Sequence, residues 1–182
     1  QQDPNAQIQL EVANTATISN KVLNYELDIG LIEGELQHTE LDVTPWRDDE
    51  LAVFCSPEHP LAKKVLSQKK ITDSDLLSAS WILREDGSGT RQAFERAMQG
   101  ILPNLNVTHE LQHTEAIKHA VEANLGISCL SKITLEDAFK RGSLVQLPVR
   151  HRDFRRKFYF ILHKQKFRSV GIEKWISLCN KT

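Results

Sequence analysis

Three shortages narrow the field before any motif is read. Cysteine is scarce: Cys55, Cys129 and Cys179 are an odd number with no CxxC spacing, which supports neither a disulfide framework nor a cysteine zinc site. Each lies in an apolar run and is expected to be a small buried hydrophobe. Long hydrophobic runs are missing as well. The longest, residues 51–55 and 158–162, have five residues each, against about 20 for a membrane helix, so a transmembrane protein is excluded. Neither sign of charge is in excess, with 23 Lys+Arg against 24 Asp+Glu and a net charge of -1. The general attraction to phosphate backbones is then absent, and this chain alone is not expected to bind nucleic acid. Residues 1–10 hold no basic-then-apolar leader, which favours the cytoplasm. No repeat, low-complexity tract or flexible linker interrupts the 182 residues. They are expected to pack continuously, as one domain or as two lobes.

What is present is periodicity. Ile8, Leu10 and Val12 alternate with polar residues and predict a strand. Asn14 and Thr15 offer caps for a helix with Ile18, Val22 and Tyr25 on one face. Strands are predicted at 29–32, 41–45, 51–55, 81–84, 106–111, 127–130, 144–149 and 158–163. Between them, helices carry Phe94, Ala97 and Met98, then Ile117, Ala120 and Val121, then Leu135, Ala138 and Phe139, and finally Ile172, Trp175, Ile176 and Cys179. Strand and helix alternate nearly throughout, which predicts an α/β fold with substantially parallel pairing.

Two motifs invite chemistry. His109-Glu110-Leu111-Gln112-His113 satisfies the H-E-x-x-H pattern of a zinc hydrolase. That chemistry needs a helix, because only there do residues four apart share a face. Val107 and Leu111 are evenly spaced and Thr114 reads as a cap just beyond, so a strand is expected; His109 and His113 would then lie about 13 Å apart. Gly87-Ser88-Gly89-Thr90-Arg91 completes neither GxGxxG, Walker A nor GxSxG. It remains a hydroxyl-bearing turn that opens a helix, with unpaired N–H groups and the positive end of the dipole. Two readings stay open: a small anion binds there, or the helix is self-capped and Arg91 makes a surface ion pair. Thr114 and Asn14-Thr15 are further hydroxyl- or amide-capped starts, and convergence of such starts on one cleft would suit a small oxyanion. The basic run Arg150, Arg152, Arg155, Arg156 and Lys157 reads as a solvated loop.

The stretches Asp28-Ile29-Gly30-Leu31-Ile32-Glu33-Gly34, Asp49-Glu50-Leu51-Ala52-Val53-Phe54, Pro57-Glu58-His59-Pro60-Leu61-Ala62, Trp81-Ile82-Leu83-Arg84-Glu85 and Gly126-Ile127-Ser128 occur in a telling order. Together with Gly87 to Arg91 and Thr114 to Lys118, they make the chain resemble the effector-binding domain of a LysR-type transcriptional regulator over nearly its whole length. The resemblance implies a two-lobed α/β fold of the periplasmic-binding-protein type (type II). Two crossing strands are expected near 51–56 and 157–162, with lobe one as residues 1–55 and 161–182 and lobe two as residues 56–160. The implied cleft residues are Asn14, Thr15 and Glu33 from lobe one and Ser88, Gly89, Thr90, Arg91, His113 and Thr114 from lobe two. No catalytic residue, metal or cofactor is implied. The expected partners are a small anionic effector of the sulfate, sulfite or short-carboxylate class and further copies in a homodimer or tetramer. DNA would be reached only through a winged helix-turn-helix that nothing here resembles. Residues 1–7 look like the end of the domain's first helix, so the domain's opening strand and most of that helix are expected to be missing. The alternatives from other classes are a transporter's solute-binding protein and the zinc hydrolase at His109 and His113.

Overall fold

Two long strands carry the architecture. In the computed structural model, which describes residues 8–180, β2 (Leu41–Cys55) runs antiparallel to β7 (Arg155–His163), from Leu41 opposite His163 to Glu50 opposite Arg155. The register shifts between Pro45 and Arg47, where proline has no N–H to give the ladder. On the far edge of β7 lies β1 (Gly30–Glu33), antiparallel, with Glu33 opposite Phe158. Past Glu50, β2 leaves β7 and pairs antiparallel with β5 (Ser128–Ser131) and β6 (Val145–Leu147). A separate parallel pair joins β3 (Ser80–Arg84) to β4 (Asn106–Leu111), and one parallel bridge, Trp81 to Ile127, connects it toward β5.

The helices close these sheets. α1 (Thr15–Leu23) is capped by Asn14, whose side chain accepts from Thr17 N. α2 (Pro60–Leu66) starts with proline at a first-turn position, and α3 (Asp73–Ser78) starts with a reciprocal capping box between Thr72 and Asp75. α4 (Gly89–Ala97) and α5 (Thr114–Glu122) follow β3 and β4. α6 (Lys132–Arg141) stops at left-handed Gly142 (φ 72°), and α7 (Val170–Cys179) ends the described chain.

Leu51 to Cys55 are buried on both faces, which explains why this part of β2 reads as an unbroken apolar run. Leu51, Val53 and Cys55 pack with Trp81, Phe94, Met98 and Leu147. Ala52 and Phe54, pointing the other way, pack with Ile117, Val121, Leu130 and Leu135. At the opposite end, Leu41 joins a smaller core with Ile18, Val22, Ile32 and Ile161. The α/β class and most predicted elements stand.

Four expectations need correction. Residues 8–13 belong to no strand, and Ile8, Leu10 and Val12 are 73%, 83% and 87% exposed; alternation makes a two-faced segment, but a strand also needs a neighbour to pair with. Tyr25 lies beyond α1, in the left-handed region at φ 62°. The named ladders are antiparallel except β3 with β4, because the crossing strands run in opposite senses. Cys55 and Cys129 are buried, but Cys179 is only partly covered. The expectation for residues 1–7 lies outside the described residues.

Candidate functional site

Because β3 and β4 are parallel, with Arg84 opposite Leu111, the helices that follow them both start at the same edge of the pair. This is the edge at which α/β sheets offer helix N-termini to ligands. The N-cap residues Ser88 and His113 make no side-chain capping hydrogen bond, so the first-turn N–H groups of α4 and α5 have no side-chain cap. α1 differs, since Asn14 caps it.

The start of α4 is pressed against the smaller core's elements. A Cβ on Gly89 would fall inside the Glu33 carbonyl, and glycine is required for that approach. Ala16 N donates to Gly87 O (3.1 Å), and Thr15 Oγ1 donates to Glu33 O (3.1 Å). Asn14 Nδ2 donates to Glu85 Oε1 (3.2 Å), and Arg84 donates to both Glu85 oxygens at 2.8 and 3.0 Å. Burial alone would push the Glu85 carboxyl up; the bonds from Arg84 and Asn14 and the Arg84 charge outweigh it and hold the group below its ordinary value.

Thr90 Oγ1 donates to Glu33 Oε2 at 2.7 Å, and Arg156 Nη1 reaches that same oxygen at 3.0 Å. Arg156 Nε also donates to Asp49 Oδ2 at 2.6 Å, and Ser131 Oγ donates to Asp49 Oδ1 at 2.7 Å. The basic run is therefore not a solvated loop throughout: Arg155, Arg156 and Lys157 lie on β7, Arg152 is mostly covered and paired with Asp73, and Arg156 is buried. β7 begins at Arg155, and there exposed Arg155, buried Arg156 and exposed Lys157 alternate, with the Arg156 guanidinium 5.2 Å from the Phe158 ring and its side chain 1% exposed.

The structure thus brings Asn14, Thr15, Glu33, Ser88, Gly89 and Thr90 into one neighbourhood. Arg91 turns elsewhere: Nε donates to Glu95 (2.7 Å), and Nη1 to Arg84 O (3.1 Å) and Glu110 (3.5 Å). Arg91 is held in ion pairs with Glu95 and Glu110, but the self-cap expected alongside them is not formed, since Ser88 makes no side-chain cap. His113 and Thr114 stand at the head of α5 on the shared edge, without a hydrogen bond to α1 or β1 among the described residues. Arg156 and Asp49 were missed; the signal for Arg156 was its period-2 spacing from Phe158.

The zinc reading fails on geometry. His109 is exposed on β4, bonded to Thr108 Oγ1, and His113 lies beyond that strand, at the N-cap position of α5, so the two do not share a helical face. Among the described residues no group of three His, Cys, Asp or Glu side chains could hold a metal ion. A broad depression of about 800 Å³ opens elsewhere, between Glu50 to Val53, Val65 and residues 146–155, and none of the expected cleft residues lines it. Two of its cations are already engaged, Arg152 by Asp73 and Arg155 by Asp153. No helix among the described residues is long and apolar enough to cross a membrane.

Comparison with known proteins agrees with this architecture. The LysR substrate binding domain family model matches residues 1–182. The chain is 39% identical over 177 residues to the uncharacterized HTH-type transcriptional regulator YeiE of Escherichia coli (strain K12), covering 97% of this chain and 59% of that protein. It is 31% identical over 160 residues to the HTH-type transcriptional regulator CysL of Bacillus subtilis (strain 168), covering 87% and 52%. The chain therefore spans a little over half the length of these curated relatives. Among solved structures, the CcmR regulatory domain of Synechocystis PCC6803 in complex with 2-PG superimposes with a TM-score of 0.86 at 29% identity, over 99% of this chain and 85% of that one. The type II periplasmic-binding-protein-like fold and the family match along the whole chain lead to one conclusion: the chain belongs to the LysR substrate binding domain family and is an effector-binding domain of the LysR type.

Proposed function

We propose that the domain senses a small anion held between its two parts, at the starts of α4 and α5 and facing α1 and β1. The observation that carries this reading is the pair of helix N-termini on one sheet edge, neither with a side-chain cap. Each favourable dipole contact is worth about 0.3–1 kcal/mol and a charge-assisted hydrogen bond about 1.5–3. The 2-PG complex of the similar CcmR domain supports a compact anion. The ligand classes are sulfate, sulfite, a short carboxylate or a small phosphate ester.

In this reading the chain is not an enzyme. An anion that prefers one arrangement of the parts biases it, and in a cytoplasmic homodimer or tetramer that bias is passed to a DNA-binding segment outside this sequence. The lobes are proposed as residues 1–55 with 161–182, and residues 56–160. The packing of Leu51, Val53 and Cys55 in the larger core supports moving the first boundary back to about Glu50.

Calorimetry of this chain against sulfate, sulfite, acetate and 2-phosphoglycolate tests the reading. At least one should bind, and Thr114→Val should weaken it about tenfold, the loss of one charge-assisted bond. Absence of any anion binding, or affinity indifferent to Thr114→Val and Ser88→Ala together, would overturn the placement.

A further inference from the structure

Glu33 ends β1, yet its carboxylate lies on donors of the opposite part. Its Oε2 accepts from Thr90 Oγ1 (2.7 Å) and Arg156 Nη1 (3.0 Å), and Arg156 Nη1 is also 3.0 Å from Thr90 Oγ1. Behind these donors Arg156 is fixed by Asp49, and Asp49 by Ser131. The Arg156 and Asp49 side chains are each 1% exposed, whereas that of Glu33 is 41% exposed. The remaining guanidinium nitrogen, Arg156 Nη2, is buried with no hydrogen-bond partner among the described residues. A buried donor without an acceptor is costly and marks a place made for one.

The cluster holds one cation and two carboxylates of different standing. Asp49 is buried and bonded through both oxygens, so it is the permanent counter-ion. Glu33 sits on a side chain that reaches solvent and can leave. We propose that Thr90 Oγ1, Arg156 Nη1 and Arg156 Nη2 form an oxyanion subsite, and that Glu33 occupies it as a built-in substitute until the effector's carboxylate, sulfate or phosphate group displaces it. The proposal rests on the anion-sensing reading above and names the donors and the competitor.

Displacement is what the electrostatics require. An anion added beside both carboxylates would face two like charges, whereas exchange for Glu33 leaves only Asp49 opposing it; the cluster's balance is then unchanged for a monoanion and one charge more negative for sulfate. A free oxyanion can also take Nη1 and Nη2 together, the bidentate geometry that guanidinium favours. Because Glu33 belongs to β1 and Thr90 to α4, the exchange removes a tie between the two parts. Anion arrival thereby becomes a change in how firmly they are held together.

The test compares inorganic sulfate and 2-phosphoglycolate binding to the unaltered chain, Glu33→Gln, Thr90→Val and Arg156→Lys, each checked for folding by circular dichroism. With its competitor neutralised, Glu33→Gln should bind the same anion about tenfold tighter, while Thr90→Val and Arg156→Lys should bind it about tenfold weaker or worse. If Arg156→Lys does not fold, the near-isosteric Thr90→Val decides the donor set. A second readout is the Glu33 carboxyl carbon resonance, which should move to the position of a solvated carboxylate as sulfate saturates the unaltered chain. Unaltered binding in Glu33→Gln, or a Glu33 resonance that stays put while sulfate binds, would overturn the displacement and leave the anion-sensing reading intact. Absence of binding by every protein would overturn both.

Discussion

At one end of β2, Leu51 to Cys55 have covered neighbours on both faces; at the other, Leu41 shares a core with Ile18, Val22, Ile32 and Ile161. The larger part encloses Trp81, Phe54, Phe94 and Met98 almost completely, while the smaller part's buried cluster is confined to Ile18, Val22, Ile32, Leu41 and Ile161; exposed apolar side chains occur in both, as at Leu66 and Ile133 in the larger and Phe167 and Val170 in the smaller. α7 contributes no fully buried residue, holding on through Trp175 edge-on to Phe160 and through the Trp46 bond to Cys179 O. Cohesion, which scales with apolar area removed from water, therefore resides mainly in the larger part. The smaller part is the one whose position can be altered at modest cost, and it supplies Glu33, Asn14 and Thr15 to the candidate site.

The most direct way to break this comparison is to make the same deletion in both cores. Ile117 is fully buried and Ile18 is 6% exposed in the smaller cluster. Large-to-small changes of this kind cost about 2–5 kcal/mol, depending on how far the site collapses. Ile117→Ala should fall in the upper half of that range and Ile18→Ala near its lower end, read from urea unfolding. Equal losses would show that the two cores are equally tight.

Thiol chemistry sharpens the contrast without mutation. Burial pushes the Cys55 thiol up to about 12, outweighing the hydrogen bond with Ala62, and burial raises Cys129 as well, with the Arg156 charge opposing it. Cys179 is also raised by burial, opposed by Arg47, but is only partly covered. Since the thiolate is the reactive form, iodoacetamide at pH 8 should label Cys179 in the folded chain, with Cys55 and Cys129 following only after denaturation. Native labelling of Cys129 at a comparable rate would mean that the larger part opens as readily as the smaller.

The smallest expected effect is on the acid side. Asp73 of α3 holds Arg152 at 2.9 Å and His151 at 2.7 Å, and the hydrogen bonds from Arg152 and His151 bring its carboxyl down to about 2. A carboxyl depressed on folding stabilises above its unfolded value near 3.8, and that contribution is lost as pH falls through about 2. Asp73→Asn should flatten the decline in melting temperature between about pH 4 and pH 2. An unchanged slope would mean this tie between α3 and the 151–152 segment contributes nothing to the larger part.

Much of this was written in the sequence, and the omissions have physical causes. α4, α5 and α6 show through because one apolar face repeats over nine or ten residues. α2 and α3, at seven and six residues, are too short for periodicity to register, although Thr72-x-x-Asp75 was a readable cap. Parallel pairing was over-read because alternation of strands and helices says nothing about which strand lies beside which. Six of the nine expected cleft residues gather at one place, since each sits where an element starts or stops. Arg156 and Asp49 were hidden because sequence gives a charge no depth: Arg155 and Arg156 look alike on the page, and strand alternation puts one in solvent and the other in the interior.

Chain order gives the two cores different histories. The residues of the larger clusters all lie between Leu51 and Phe154, whereas Ile18, Val22 and Ile32 must wait for Ile161. On a ribosome the larger core can therefore begin to close before β7 has fully emerged, since domains fold as their contacts become available and long loops delay closure. The segments that carry Asn14, Thr15 and Glu33 are synthesised early and seated late. During that interval their apolar side chains are open to chaperones, and to one another on neighbouring nascent chains.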